Sequence, residues 1–479
     1  MSAARIAVVG AGISGLAAAH RLRTLLGPAA EIVVLEQRDR TGGVLHTVEL
    51  AGMPFDVGAE AFLARRPEVP ALLDELGLAD RSVHPTGASP SIRAGGRTVG
   101  LPPGTMMGVP TSRARLDDVL SPAGLAAVAA EPERPLAWEP GTDVSLGGLL
   151  RERFGPEVPE RLADPLLGGV YAGRVDALGL RATVPALAAA LDAGASSLTA
   201  AATSASPPPA GRGPAAGSGS TGPVFGGIRG GYRVLLDALG SASAATVRFG
   251  TTVRSLERRG AGWRLVLGAT TRPEALDVDA VVLAVPAPAV RKLLTGLVPA
   301  AASAAGEVEL ASSVVVALAY RPAEAAALPP TSGVLIAADE PLSIKAATHS
   351  SNKWAHLGAD GLVRLRVSTG RFGEAATLQV DDDELVARAR VDLATLHGIT
   401  AAPVEAVVQR WGGGLPQYAV GHLDRVRRIE QAVAAVPGLA VAGSALHGVG
   451  VPACVATARA AAERIAAVVQ VTAPESNGS

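Results

Sequence analysis

The chain has 479 residues, 48% of them hydrophobic and 18% charged, with a formal net charge of -1. That length exceeds one simple core and predicts two or three subdomains, while the near-neutral balance gives no whole-chain electrostatic footprint for nucleic acid. The single cysteine, Cys454, excludes an internal disulfide and any Cys-rich metal site, and the chain carries no mark of an oxidising compartment.

In chain order, the apolar run RIAVV from Arg5 to Val9 predicts a buried parallel strand. Glycines interrupt it at once, which a secretion signal would not do. SGLAAAHRLRTLL then has helical periodicity, and EIVVLEQ from Glu31 predicts a second strand, so the chain opens on a βαβ unit. Helical patterns dominate from Pro67 to Leu191. Between Ala195 and Pro223 a Pro/Gly/Ser-rich stretch predicts a mobile loop. FGGIRGGYRVLLDAL predicts a Gly-rich turn entering a helix, followed by a strand meander and the buried strand DAVVLAVP. A mixed region from Pro288 to Val433 leads to a closing strand, Gly-rich turn and long helix. No stretch approaches the roughly 18–20 uninterrupted apolar residues of a membrane span. The expectation is a soluble, cytoplasmic protein, with peripheral membrane contact left open.

Gly10-x-Gly12-x-x-Gly15 follows a predicted strand, opens a helix and precedes Glu36 by about 20 residues, the context that makes this motif a dinucleotide fingerprint. Gly10 allows the tight turn, Gly12 lets backbone approach a pyrophosphate, and Gly15 lets helix pack on sheet. Ala11, Ile13 and Ser14 complete the turn, the helix N-terminus offers N–H groups to phosphate, and Glu36 can accept from ribose hydroxyls.

Continuing through Arg40 and the pair Gly42-Gly43, E-x-x-x-R-x-G-G-x-x-x-T resembles the extended signature of the FAD-dependent amine oxidase and protoporphyrinogen oxidase superfamily. Several segments are similar to one branch, the protoporphyrinogen/coproporphyrinogen oxidases of haem synthesis: FDVGAEAFLARRPE, PLLGGVYAG, FGGIRGGYRVLLDAL, RWGGGLPQYAVGHLDRV and AGSALHGVGVPACVATARAAAERI. The resemblance implies an α/β fold, with a discontinuous Rossmann-type FAD-binding domain (1–65, 224–295, 436–470). It also implies a mixed α+β substrate domain (66–85, 181–223, 296–435) and a helical subdomain (86–180). It implies non-covalent FAD held further by Gly58, Ala59, Glu60, Ala61, Val253, Trp411, Gly443, Val449, Gly450 and Val451.

The implied reaction removes electron pairs from a porphyrinogen, with flavin N5 as hydride acceptor and O2 as final oxidant. The sequence offers no Ser–His–Asp set, metal-ligand spacing or paired carboxylates, and the resemblance implies no catalytic side chain. Coproporphyrinogen III is the favoured substrate. Protoporphyrinogen IX, an amine oxidase or desaturase activity, and a flavin-free binding protein remain alternatives, and a transient contact with the next haem-pathway enzyme is left open. Propionates of such a substrate need cations at the pocket. Arg93, Arg97, Arg174, Lys345 and Arg371 are the candidates, with Tyr171 as a cavity-lining ring.

Overall fold

The computed structural model describes residues 4–206 and 223–472. Five parallel strands form its first sheet, in the order Thr246–Arg248, Glu31–Leu35, Arg5–Val9, Ala280–Leu283 and Leu439–Val441. Register is set by the near-continuous apolar runs: Val8 lies between Val34 and Val282. Both faces of such a sheet must be covered. On one, the helix Ile13–Leu26 packs against Val451–Thr472 and Tyr232–Ser243. Ala17, Ala18 and Ala19 allow that close approach, and Leu16 and Leu22 are fully buried, each worth about 1.5–3 kcal/mol. The other face carries the antiparallel sheet Val253–Arg259, Gly262–Leu267 and Glu274–Val278, with two helices between Ala287 and Gly306.

A second large sheet has seven strands in the order Glu405–Pro416, Leu310–Tyr320, Val363–Thr369, Ile344–Thr348, Gly333–Ile336, Pro90–Ala94 and Arg97–Gly100. All neighbours are antiparallel except Gly333–Ile336 with Pro90–Ala94. The helix Asp382–His397 buries Leu385, Ala389 and Leu393 against one face. The helical region packs by the far edge, where the helix Asp164–Tyr171 rests on the strands Gly333–Ile336 and Ile344–Thr348 as a roof.

Two expectations are corrected. The helical region does not begin at residue 86: residues 90–100 form a hairpin in the seven-stranded sheet, turning at Gly95 and Gly96, both at positive φ. Nor is all of 196–223 a loop. Leu198–Ala205 is a helix, capped by the Ser197 side chain, with Leu198, Ala201 and Ala202 buried among the roof helices. Residues 207–222 of the expected loop lie outside the described residues. Among the described residues no helix is long and apolar enough to cross a membrane.

Candidate active site

The C-terminal ends of parallel strands are where an α/β sheet presents its ligand crevice. Here they open onto an elongated cavity of about 370 Å³, within the ~300–1,000 Å³ of small-molecule sites. Gly10, Gly12, Ile13, Ser14, Glu36, Gly42 and Gly43 line one part of it. Ala59, Val253, Trp411, Gly443, Val449 and Val451 line the remainder. These positions come from widely separated stretches, brought together by strand order.

Local geometry explains why each is there. Gly10 sits at φ +101°, and a Cβ on it would stand 2.5 Å from the Ala284 carbonyl oxygen. Gly12 caps the first helix, and no side chain satisfies that helix's leading N–H groups. The Glu36 carboxylate is buried and fixed by backbone: Oε2 accepts from the Ala11 N–H at 2.8 Å and Oε1 from the Arg38 N–H at 2.9 Å. Arg40 braces the double glycine by donating to the carbonyls of Thr41 and Gly43, both at 2.9 Å. Trp411 is buried and its Nε1–H donates to the Val57 carbonyl at 2.9 Å. The segment 443–450, which carries the far wall, is tied by the P-Q-Y-x-x-G-H stretch. Tyr418 donates its hydroxyl to Ser444 O at 2.7 Å, and His422, stacked on Tyr418 with centroids 3.8 Å apart, donates from Nε2 to Leu446 O at 3.0 Å.

Six expected positions do not line the cavity. Ala11 spends its N–H on Glu36. A Cβ on Gly15 would lie 1.8 Å from Gly10 O, and one on Gly58 2.0 Å from Val44 O, so these glycines let backbone pass backbone. Gly450 accepts the Cys454 N–H in the first turn of the last helix. Ala61 packs with Phe55 and Trp354. Glu60 faces away from the cavity because its partners lie behind the floor: Lys353 at 2.8 Å, Trp354 Nε1 at 2.5 Å and Arg366 at 3.5 Å.

The expected substrate contacts also scatter. Arg93 is paired with Glu340 at 3.1 Å, Arg174 with Glu374 at 3.0 Å and Arg371 with Asp164 at 3.1 Å. Arg97 is exposed and donates to Asp118 O. Tyr171 packs on Tyr418 at 5.3 Å. Lys345 is buried, with its Nζ on Gly370 O at 2.8 Å. Conversely, sequence reasoning missed Thr252, Ala284, Lys292, Ser444 and the run Gly412–Gly414 as lining residues. The chain just past the strand Ala280–Leu283 was the available signal, since strand C-terminal ends carry ligands in this architecture.

Behind the floor lies a second, far smaller pocket, bordered by Asp56, Glu60, Trp354 and His356. Burial raises the Asp56 carboxyl to about 7, against the pull of the bonds it accepts from the Thr47 hydroxyl and the Tyr232 N–H. Burial also works on Glu60, but Lys353 and Arg366 outweigh it and hold that carboxyl near 2. Burial lowers His397, Nε2 to Nε2 with His349 at 3.0 Å, and His422 to about 4 each. The two histidines bind protons in the unfolded chain near pH 6.5 and in the folded chain only near 4, so they make stability rise with pH across that window. Asp56 has the opposite sign, because the folded chain keeps its proton up to about 7. Unfolding free energy, measured by urea titration, is therefore expected to rise from pH 4 to 6.5, and Asp56→Asn to steepen the rise. A flat or falling wild-type profile would contradict this assignment.

A family model described as "Flavin containing amine oxidoreductase" matches residues 13–466. The chain belongs to the flavin-containing amine oxidoreductase family. Its fold is that family's mixed α/β arrangement, and the chain is a flavin-dependent oxidoreductase. Among its relatives is the coproporphyrinogen III oxidase of Mycobacterium tuberculosis, 47% identical over 452 residues, 94% of this chain and 95% of that protein. The coproporphyrinogen III oxidase of Mycobacterium leprae is 45% identical, covering 98% of this chain and 100% of the relative. A crystal structure from Exiguobacterium sp. 255-15 superposes with a TM-score of 0.83 at 30% identity, covering 98% of this chain and 99% of that one.

Proposed function

We propose that this flavin-containing amine oxidoreductase oxidises coproporphyrinogen III to coproporphyrin III with O2 as acceptor, using non-covalent FAD. The observation that carries the substrate is the 47% identity, over nearly the full length of both chains, to a coproporphyrinogen III oxidase. The cavity supports the cofactor. A Cβ at Gly12 would meet nothing closer than 3.9 Å, so that space is open rather than filled by protein, as a backbone cradle for a pyrophosphate requires. The Glu36 carboxylate, pinned by two N–H groups, keeps free lone pairs for a ribose. Non-covalent binding is supported by Cys454, which lines the cavity but whose thiol burial pushes up to about 11, leaving little thiolate to form a bond.

When bound, the flavin supplies a two-electron acceptor, and porphyrinogen to porphyrin requires three such removals. What the chain does is position and exclude. Trp411, anchored to Val57 O, and the tied segment 443–450 fix the walls, and apolar Val449 and Val451 keep water from the reacting face. The N-terminus of the helix Val451–Thr472 adds partial positive charge at that wall.

Incubation of the purified holoprotein in air with coproporphyrinogen III or protoporphyrinogen IX, followed by porphyrin fluorescence, tests the reading. Fluorescence growing faster with coproporphyrinogen III is expected. Growth with protoporphyrinogen IX alone would move the substrate assignment, and growth with neither would overturn it.

A further inference from the structure

The chain contains three lysines. Lys353 is paired with Glu60, and Lys292 lies exposed at the cavity edge. Lys345 is different. It is 8% exposed, and its ammonium has one acceptor, the neutral carbonyl of Gly370. Among the described residues no carboxylate makes an ion pair with it. A buried ammonium with three donors and one neutral partner is costly unless something else supplies charge and acceptors. The surrounding charges do not relieve it: Arg371 and Arg366 repel it, and Glu374 offsets them only in part.

Its place in the fold says what could. Lys345 is the extra residue of a bulge, between Ile344, opposite Thr369, and Ala346, opposite Ser368. Bulges re-aim side chains near sites. On one side Arg366 donates to the carbonyls of Asp56 and Gly58, which flank the floor of the flavin cavity at Ala59. On the other Arg371 holds Asp164 in the roof helix. The strand Ile344–Thr348 that carries Lys345 touches the roof helix and pairs with the strand of Arg366, and the Lys345 Nζ reaches Gly370, the residue before Arg371, which places it between floor and roof. Those two arginines are committed to protein groups, as are Arg93 and Arg174.

We propose that Lys345 is a specificity-determining residue that takes one substrate carboxylate, a propionate of the porphyrinogen, between the roof helix and the floor of the flavin cavity. This rests on the porphyrinogen oxidase reading. An arriving carboxylate supplies the missing counter-charge and acceptors for the two N–H groups that Gly370 leaves over.

The test compares holoenzyme with Lys345→Met and Lys345→Arg. Two quantities are read: dissociation constants for coproporphyrin III and its tetramethyl ester, by fluorescence quenching, and KM against kcat for coproporphyrinogen III. Lys345→Met should weaken binding of the free acid about tenfold or more and leave the ester within about twofold. KM should rise while kcat stays within about threefold, and Lys345→Arg should recover most of the acid affinity. Lys345→Met should also be at least as stable as the parent, because it replaces an unpaired buried charge by an apolar chain of similar length. Unchanged acid binding in Lys345→Met, or equal loss of acid and ester, overturns the assignment. Parent enzyme that binds neither porphyrin and oxidises neither porphyrinogen overturns the underlying reading instead.

Discussion

A Gly12→Val chain should fold as the parent does and retain no flavin. The two halves of that expectation have separate causes. The position has φ near −70°, which any residue adopts, and an added Cβ would meet only Gly42 O and Gly43 Cα, both at 3.9 Å. The cost to the empty protein is limited to a poorer helix N-cap, about 1 kcal/mol at most. The same Cβ and its two methyl groups project into the cavity between Gly12 and Gly43, where backbone must approach the pyrophosphate. Loss of at least about a hundredfold in FAD affinity follows if the ligand cannot shift aside. Gly15→Val is the contrasting control. Its Cβ would stand 1.8 Å from Gly10 O, so the turn itself cannot close and the chain should fail to fold. The checks are the flavin absorbance of purified protein, FAD titration of stripped protein and urea unfolding. A yellow Gly12→Val protein would show that the cofactor does not run through this cradle.

The contrast between those glycines also explains what the sequence could disclose. Gly10, Gly12 and Gly15 act within six residues, on a strand and helix that are themselves local, so spacing alone carries their geometry. The hairpin at residues 90–100 was equally legible, since Gly95-Gly96 between two short runs is a hairpin turn signal, yet the surrounding helical patterns masked it. The helix Leu198–Ala205 was legible only in part. Leu198, Ala201 and Ala202 share one face and Ser197 caps the helix locally, but the Pro/Gly/Ser-rich run that follows masked both signals, and the first N–H groups, Leu198 and Thr199, are received by Glu131, itself buried and paired with Arg153 at 2.9 Å. That second acceptor, 67 residues away, leaves no trace in a local window. Glu60 failed to read for the same reason. Its neighbours in DVGAEAF approach the cofactor cavity, but its direction is decided by Lys353, Trp354 and Arg366, about three hundred residues on.

That placement makes Glu60→Ala the most damaging single truncation expected behind the site. The Glu60 side chain is 12% exposed, Lys353 22% and Arg366 14%, so the cluster is largely withdrawn from water. Removing one partner of such a pair leaves cations buried without compensation, typically 3–5 kcal/mol, and here two cations and the Trp354 N–H lose a partner together. Partial exposure of Lys353 lets it reach solvent, which puts the expected loss near the low end, about 3 kcal/mol. Arg366 does not have that freedom, because it also holds Asp56 O and Gly58 O. The damage should therefore spread to the cavity floor as weaker FAD retention. Glu60→Gln keeps an acceptor for Trp354 and should fall between the two. The pH dependence gives an independent check. The folded-state carboxyl sits near 2, below the ordinary carboxylate range, so its stabilisation is complete above about pH 4.5 and fades as pH falls toward 2. The stability difference between parent and Glu60→Gln, measured by urea titration at several pH values, should narrow over that interval. A Glu60→Ala protein within about 0.5 kcal/mol of the parent at pH 7, or a difference that does not narrow in acid, would mean that this carboxylate is not what holds the floor in place.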